Sequence, residues 1–251
     1  MDSQKNKPLL GVLGGLGPMS SVYFYELLTS HTKADGDQGH IDLLISSRAT
    51  TPDRTAYILG TSDQSPLPAM KQERDRLVGA GATLIVIPCN TAHTFYEELQ
   101  RDCPVPILNI IEKTVGHLTE QGVEKFGLLA TEGTVRSGSY QYFCNGSKTK
   151  CLIPTKEEQA LITSLIYDEI KQNRAPDLSK LYTVAHALIA RGAQRLVLGC
   201  TELSLLKKHS LDDQIFLDSL DVLAYHTVLS CGKEPIGFEE EFMASSKGGP
   251  A

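Results

Sequence analysis

Two cysteines could carry acid/base chemistry, because each ends an apolar segment and is followed by small polar residues. These are Cys89 and Cys200, and the segments around them repeat at an ungapped offset of 111 residues, from Gly81 to Gly192 as well as from cysteine to cysteine. A thiol is a base or nucleophile only as the thiolate, which the dipole of a following helix stabilises. The spacing therefore predicts two related thiols that face one substrate.

The elements that must position the two thiols are buried parallel strands that run into helices. Residues 81–88 and 192–199 each read as a turn followed by such a strand. The carboxyl end of a strand is where open α/β sheets bind ligands. A second echo, between 11–18 and 127–134, supports an internal repeat. Strands that alternate with helices predict an α/β fold with a doubly wound parallel sheet in each of two pseudo-symmetric halves.

The repeat also predicts how the chain divides into domains. We assign residues 1–112 together with 213–251 to a first α/β domain, which carries Cys89, and residues 113–212 to a second, which carries Cys200. A last strand at 215–218 and the helix after it have no counterpart that completes the second half. They are therefore assigned to the first domain, so the chain is predicted to cross between domains twice.

Composition and charge argue against several classes of protein. The chain has 251 residues, of which 41% are apolar, and a formal net charge of −6. That length suits one or two domains with a full core, whereas a nucleic-acid binder usually carries a basic stripe. No apolar run approaches the ~20 residues of a membrane helix, and residues 1–7 lack the apolar core of a signal peptide. We expect a cytoplasmic protein with neither a nucleic-acid nor a membrane partner.

The remaining cysteines do not predict a metal site or a disulfide framework. They are Cys103, Cys144, Cys151 and Cys231, and no two cysteines form a CxxC pair. Zinc and thioredoxin-like interpretations are therefore weak, and in a reducing compartment we expect free thiols that fill space.

The residues that directly follow the two cysteines could bind an anion. Asn90, Thr91 and Thr201 stand at predicted helix starts, where side chains and N–H groups could hold a carboxylate and stabilise charge that develops on it. The same residue types are ordinary helix caps, and we assign both roles to them. The glycine-rich turn at 14–18 is open to two interpretations, a tight turn or close approach of the backbone to an anion. It lacks the GxGxxG pattern, which disfavours a dinucleotide site.

Two thiols in related halves fit the inversion of a carbon centre. One thiolate removes a proton from one face, and the opposite thiol delivers a proton to the other. A hydrolase-type pair of Cys89 with His93 is less favoured, because it leaves Cys200 unexplained. We predict a packing or capping role for His93.

At this point the chain resembles a known family. The motifs Gly14-Gly15-Leu16-Gly17-Pro18, Pro52-Asp53-Arg54, Pro88-Cys89-Asn90-Thr91-Ala92-His93, Ile166-Tyr167-Asp168-Glu169-Ile170-Lys171 and Gly199-Cys200-Thr201-Glu202-Leu203 look like the aspartate/glutamate racemase superfamily, and its aspartate racemase branch in particular. The resemblance covers residues 8–229. It implies racemisation without a cofactor, two α/β domains with the active site in the cleft between them, and a homodimer.

The resemblance also implies further site residues. The substrate-binding arginine of the family maps onto Arg54 by the Pro-Asp-Arg motif, and its lysine onto Lys171 by the Tyr-x-x-x-Lys pattern, with Lys156 as the alternative. Either cation could instead be a solvated surface charge. The other predicted binding residues are Leu16, Glu202, Thr131 and Thr134.

The sequence thus predicts an amino-acid racemase that uses Cys89 and Cys200 as acid and base, with no cofactor and no metal. Aspartate is the favoured substrate and glutamate the less favoured one, since glutamate racemases of cell-wall synthesis typically open with Asp-Ser-Gly where this chain has residues 14–16 as Gly-Gly-Leu. The alternatives are another isomerase of the superfamily, acting on maleate or hydantoins, and a non-catalytic protein that binds small anions.

Overall fold

The computed structural model describes residues 8–209, 211–212 and 214–238, which form an α/β fold with two four-stranded parallel sheets. The strands are β1 (Leu10–Gly14), β2 (Leu43–Ser47), β3 (Leu84–Val86), β4 (Ile107–Leu108), β5 (Lys125–Leu129), β6 (Lys150–Leu152), β7 (Arg195–Leu198) and β8 (Phe216–Asp218). The helices are α1 (Pro18–Ser30), α2 (Arg54–Ile58), α3 (Leu67–Gly79), α4 (Tyr96–Gln100), α5 (Ile110–Glu120), α6 (Glu132–Ser137), α7 (Ser139–Cys144), α8 (Lys156–Ser164), α9 (Leu178–Ala190), α10 (Thr201–Ser204) and α11 (Ser219–Ser230).

The two sheets have the same topology, which confirms the predicted fold class. The first sheet has the order β2-β1-β3-β4 and the second the order β6-β5-β7-β8. All neighbouring strands in both sheets run parallel. The cysteines follow β3 and β7, which occupy the same position in their sheets. Both strands are largely buried, as expected for parallel strands covered by helices on both faces.

Two glycines explain how the chain enters these strands. Gly81 (φ 97°) follows α3, and Gly192 (φ 96°) follows α9. At this positive φ a residue with a Cβ is strained, so glycine is favoured just after a helix end. The repeated glycine of the sequence is thus a repeated backbone turn ahead of each cysteine strand.

One part of the predicted domain division is wrong. The strand at 216–218 pairs with β7 through Leu196 and Phe216, so it belongs to the second sheet and not to the first domain. The physical reason is that β8 is the counterpart of β4, since both are edge strands that lead into a capped helix. The strands therefore pass from one sheet to the other once. Helix α11 nevertheless packs against α1 and α5. Residues 239–251 of the predicted first domain lie outside the described residues.

The helical segment that carries the Tyr-x-x-x-Lys pattern is not regular throughout. Helix α8 is regular only as far as Ser164, and the chain then widens into a π-helical turn at Leu165–Glu169 and a 3-10 turn at Ile170–Gln172. Such π turns occur often at functional sites. Here the widened turn points Tyr167 and Lys171 towards the other half of the molecule.

Within the described part of the chain, no helix has both the length and the apolar character that crossing a membrane requires.

Candidate active site

Both cysteine strands end at one small cavity between the two halves. Its walls come from both halves and comprise Leu16, Asp53, Arg54, Thr55, Cys89, Asn90, Thr91, Thr131, Tyr167, Lys171, Cys200, Thr201 and Glu202. The interior has room for about one water-sized sphere. A wider vestibule opens beside it along the glycine-rich turn and shares Arg54, Lys171 and Glu202 with it. The cavity itself is therefore small, and the vestibule connects it with the surface.

The structure brings together nearly all of the residues that the sequence singled out. Every predicted site residue lines the cavity except Thr134, which lies directly behind Thr91 and Thr131. The alternative lysine, Lys156, is exposed at the start of α8 and lies outside the lining. Among the two lysines, the geometry thus favours Lys171.

Cys89 is buried and lies close to a cation. The residue is 6% exposed. Burial raises the pKa of the thiol, and the Glu202 carboxylate adds to the increase, while the Arg54 guanidinium and the backbone N–H of Ala92 act in the opposite direction. These last two groups favour the thiolate that proton abstraction requires.

Cys200 is equally buried but is hydrogen-bonded to an acid. It stands at the N-cap of α10, and its Sγ donates to Glu202 Oε2 at 3.0 Å. Burial raises the pKa of this thiol well above its ordinary value, and the Glu202 carboxylate adds to the increase, whereas Lys171 opposes it. The two thiols therefore face the same cavity with different electrostatic neighbours.

Arg54 is a buried cation without an acidic partner. It begins α2, which Asp53 caps by accepting from the backbone N–H of Ala56 at 2.8 Å. The guanidinium donates to the backbone oxygens of Thr51, Pro52 and Leu16, and its buried Nε has no hydrogen-bond partner. No carboxylate of the described residues lies within ion-pair distance of it. Since a buried charge is normally paired, the arginine is suited to an anion that enters the cavity.

A polar cluster from both halves covers the other side of the cavity. Lys171 Nζ lies 3.9 Å from Asp53 Oδ2, 4.0 Å from Glu202 Oε1 and 4.1 Å from the ring centre of Tyr167. The Tyr167 hydroxyl donates to Asp53 Oδ2 at 3.3 Å. Because Asp53 belongs to the first half and Tyr167 to the second, these contacts hold the halves together over the cavity.

Three lining residues were missing from the predicted set: Asp53, Thr55 and Tyr167. Two of them lay in motifs already recognised, Asp53 beside the arginine and Tyr167 at the start of the Tyr-x-x-x-Lys pattern. Thr55 had no signal of its own, and it lines the cavity because α2 places it one residue beyond Arg54.

Three threonine hydroxyls form a closed triangle at the boundary between the halves. Thr91 Oγ1 lies 2.9 Å from both Thr131 Oγ1 and Thr134 Oγ1, and the last two atoms are 3.1 Å apart. Thr131 also caps α6 by accepting from the Thr134 N–H. A hydroxyl can rotate to donate elsewhere, so this triangle offers donors to an entering carboxylate.

The side chains of Asn90 and Thr201 are largely occupied by structural contacts. Asn90 Nδ2 donates to Ser219 Oγ at 2.9 Å, and its Oδ1 accepts from the Tyr140 hydroxyl at 2.8 Å. Thr201 Oγ1 donates to the backbone oxygen of Pro88 at 3.2 Å. These bonds join the two halves. The predicted binding of a carboxylate by these residues therefore depends on their backbone N–H groups and on the second amide proton of Asn90.

His93 has the packing role that the sequence predicted. The ring is buried, with Nδ1 2.8 Å from the Cys89 backbone oxygen and Nε2 3.3 Å from the donating N–H of Ile110. Nε2 therefore accepts and Nδ1 carries the proton. Burial lowers the pKa of His93 to about 4, so the ring stays neutral and braces the backbone rather than activating the thiol.

The described residues contain no cluster of three or more His, Cys, Asp or Glu side chains that could hold a metal ion. All six cysteines are free thiols.

The family follows from a comparison with known proteins. Residues 13–227 match the family model described as Asp/Glu/Hydantoin racemase. The chain belongs to this family. It is an isomerase of the amino-acid racemase class, as its relatives are, and the resemblance seen in the sequence is confirmed.

Individual relatives agree with the family. The chain superimposes on the Picrophilus torridus aspartate racemase with a TM-score of 0.80 and 27% sequence identity, over 95% of this chain and 99% of the other. It is 27% identical to the broad specificity amino-acid racemase RacX of Bacillus subtilis, over 88% of this chain and 96% of the relative. It is also 27% identical to the glutamate racemase of Aquifex aeolicus, over 75% and 76% of the two chains.

Proposed function

We propose that this racemase inverts an acidic amino acid, aspartate in preference to glutamate, by a two-base mechanism without a cofactor. The observation that carries the proposal is a single cavity between the two sheets that contains Cys89, Cys200 and the unpaired Arg54. Two thiols supply an acid and a base, and a buried cation without a partner accounts for an anionic substrate.

The mechanism follows from the placement of the thiols in opposite halves. The thiolate of one cysteine removes the α-proton from one face of the substrate, and the thiol of the other cysteine delivers a proton to the opposite face. Negative charge then develops on the α-carboxylate. The N–H groups at the helix starts after Cys89 and Cys200 and the Thr91–Thr131–Thr134 triangle are the donors that stabilise this charge.

The side-chain carboxylate of the substrate binds Arg54, with Lys171 as its second cation. An Arg–carboxylate pair is directional and stronger than a neutral hydrogen bond. The preference for aspartate is supported by the close likeness to the Picrophilus torridus aspartate racemase over almost the whole of both chains. We further propose that the protein acts as a homodimer in the cytoplasm.

Loss of optical activity from pure enantiomers tests the proposal. L- and D-aspartate and L- and D-glutamate are incubated with the purified protein without any added cofactor. We expect racemisation from L-aspartate and from D-aspartate alike. Cys89→Ser and Cys200→Ser should each abolish most of this racemase activity. Cys103→Ser is the matched control, since Cys103 lies outside the cavity lining, and it should keep full activity.

The same assay separates the alternatives. Turnover of maleate or a substituted hydantoin with none of the acidic amino acids would identify another isomerase of the family. Binding of aspartate without exchange of its α-proton in heavy water would identify an anion-binding protein. Faster turnover of glutamate than of aspartate would contradict only the substrate preference.

A further inference from the structure

The second thiol has a neighbour that the two-base mechanism leaves without a task. Glu202 lies two residues after Cys200, and its Oε2 accepts the thiol proton at 3.0 Å. The side chain is 9% exposed. A carboxylate can only accept a hydrogen bond, so this contact favours the thiol form of Cys200 over the thiolate.

The surrounding chain fixes the carboxylate in this position. Its other oxygen, Oε1, has no hydrogen-bond partner and lies 4.0 Å from Lys171 Nζ. The glycine-rich turn packs against it so closely that a Cβ at Gly17 would lie 2.6 Å from Oε1. The carboxylate is therefore held between Cys200, Lys171 and the backbone of the first half, with little room to rotate away from the sulfur.

No such partner stands beside the first thiol. Among the described residues, the charged group with the strongest influence on Cys89 is the Arg54 guanidinium, which lowers the pKa of the thiol. Glu202 raises that pKa and Lys171 lowers it, but no hydrogen bond from the Cys89 thiol to Glu202 accompanies these charge effects in the described part of the chain. The charged and titratable groups that face Cys200 are Glu202 from its own turn and Lys171 and Tyr167 from the widened helical turn. Lys171 opposes the effect of Glu202 on the pKa of Cys200, but its influence is the smaller of the two.

We propose that Glu202 is a positioning residue that keeps the shared acid/base proton on Cys200, so that Cys89 is the first of the two thiols to become a thiolate. This rests on the proposed two-base racemisation. The resting enzyme is then ready for the enantiomer whose α-proton faces Cys89, with Cys200 as the proton donor. Reaction of the other enantiomer begins from the form in which the proton has moved from Cys200 to Cys89. One proton is shared by the two sulfurs in both forms, so the proton count balances.

Alkylation of the individual cysteines tests this without any need for turnover. Wild-type protein and Glu202→Gln are treated with iodoacetamide from pH 6 to pH 10, and the labelling rates of Cys89 and Cys200 are measured by mass spectrometry of their peptides. We expect wild-type Cys89 to be labelled at lower pH than Cys200. In Glu202→Gln, labelling of Cys200 should move to lower pH by about one pH unit or more, which is about tenfold in rate at neutral pH. Labelling of Cys89 should move in the same direction by less, because Glu202 acts on it only through its charge and makes no hydrogen bond to it.

Two further variants separate the charge of Glu202 from its packing. Glu202→Asp keeps a carboxylate and should leave labelling of Cys200 slower than in Glu202→Gln. Glu132→Gln removes a carboxylate from the first turn of α6, outside the cavity lining, and should change neither cysteine. Unchanged labelling of Cys200 in Glu202→Gln, or equal acceleration by Gln and Asp, would overturn the proposal. Absence of racemisation together with the expected labelling would contradict the proposed function and leave the role of Glu202 standing.

Discussion

The turns after the two cysteines occupy equivalent places in the fold and have different chemistry. Each follows the equivalent strand of a sheet with the same topology and leads into a helical turn at the shared cavity, which is a 3-10 turn at Thr91–Phe95 in the first half and α10 in the second. Yet Arg54 is the charged group that most favours the thiolate at Cys89, whereas Cys200 is hydrogen-bonded to the Glu202 carboxylate. The repeat has preserved where the thiols lie, and the residues around them have diverged, so that pseudo-symmetric positions need not have equal proton affinity.

The two halves also differ in the residues that connect each cysteine turn to the next helix. His93 and Ser204 both lie four residues beyond their cysteine and both contact the start of the next helix, α5 and α11 respectively. Asn109 caps α5, while its counterpart Asp218 caps α11. The first half thus uses neutral caps where the second uses a buried acid, and burial raises the pKa of Asp218 to about 7, with Asp221 adding to the increase.

The largest effect is expected at the two cysteines. Cys89→Ser and Cys200→Ser should each lose about 10²–10⁴-fold in racemisation, the range typical of a lost general acid or base. In heavy water, each variant should exchange the α-proton of only the enantiomer that faces its remaining thiol, without inversion. Opposite enantiomers exchanging in the two variants would establish that the halves act on opposite faces, and near-normal racemisation by either variant would refute the two-base mechanism.

The next largest effect separates the two cations. Arg54→Gln should lower kcat/KM for aspartate by about tenfold to a hundredfold, since a lost charge-assisted hydrogen bond costs about 1.5–3 kcal/mol. Lys171→Gln should cost less, because Lys171 is partly exposed and already faces Asp53 and Glu202. Steady-state kinetics with both enantiomers measure this. Because the enantiomers have an equilibrium constant of one, kcat/KM must fall equally in both directions, which checks the assay internally. A larger loss of kcat/KM in Lys171→Gln than in Arg54→Gln would show that Lys171, and not Arg54, is the main cation that binds the substrate.

The buried acid that caps α11 makes stability depend on pH. Since the folded pKa of Asp218 is raised from 3.8 to about 7, the carboxyl contributes its full stability below pH 4, and this is lost as the pH rises towards 7. Relative to wild type, Asp218→Asn should therefore gain up to about 1.4 kcal/mol of unfolding free energy per pH unit across this window. Urea unfolding at pH 4, 5.5 and 7 measures it.

The reciprocal swap serves as the control for that measurement. Asn109→Asp places a carboxylate at the buried cap of the first half and should lose stability relative to wild type as the pH rises. A constant difference between Asp218→Asn and wild type at all three pH values would show that the buried carboxyl is not what distinguishes the halves.

The smallest effect concerns the contact that ties the Cys89 turn to the second half. Tyr140→Phe removes the hydroxyl that donates to Asn90 Oδ1 and leaves that buried oxygen without this donor. We expect a loss of about 1–2 kcal/mol, which lowers Tm by roughly 2–8 °C in a chain of this size. Tyr142→Phe is the matched control because Tyr142 is 67% exposed, and it should leave Tm unchanged. Equal Tm values in both variants would show that the hydrogen bond from Tyr140 to Asn90 does not stabilise the boundary between the halves.

The sequence by itself determined the repeat, the two parallel sheets and the identity of both cysteines. These follow from local signals: buried strands are continuous apolar runs, and the glycines before them are needed for a positive φ. The motif residues Arg54 and Lys171 could also be named, since their positions in the family's motifs are preserved in this chain.

Only the tertiary structure decided what those residues contact. The pairing of β8 with β7 depends on a long-range sheet register that the local sequence around 216–218 does not encode. The entry of Lys171 into the cavity depends on the widened turn after Ser164. The unequal neighbours of the two thiols depend on α2 reaching Cys89 from one half and on Gly17 pressing against Glu202 beside Cys200. Proton affinity is set by burial and by nearby charges, and these arise only when elements that are far apart in the sequence pack together.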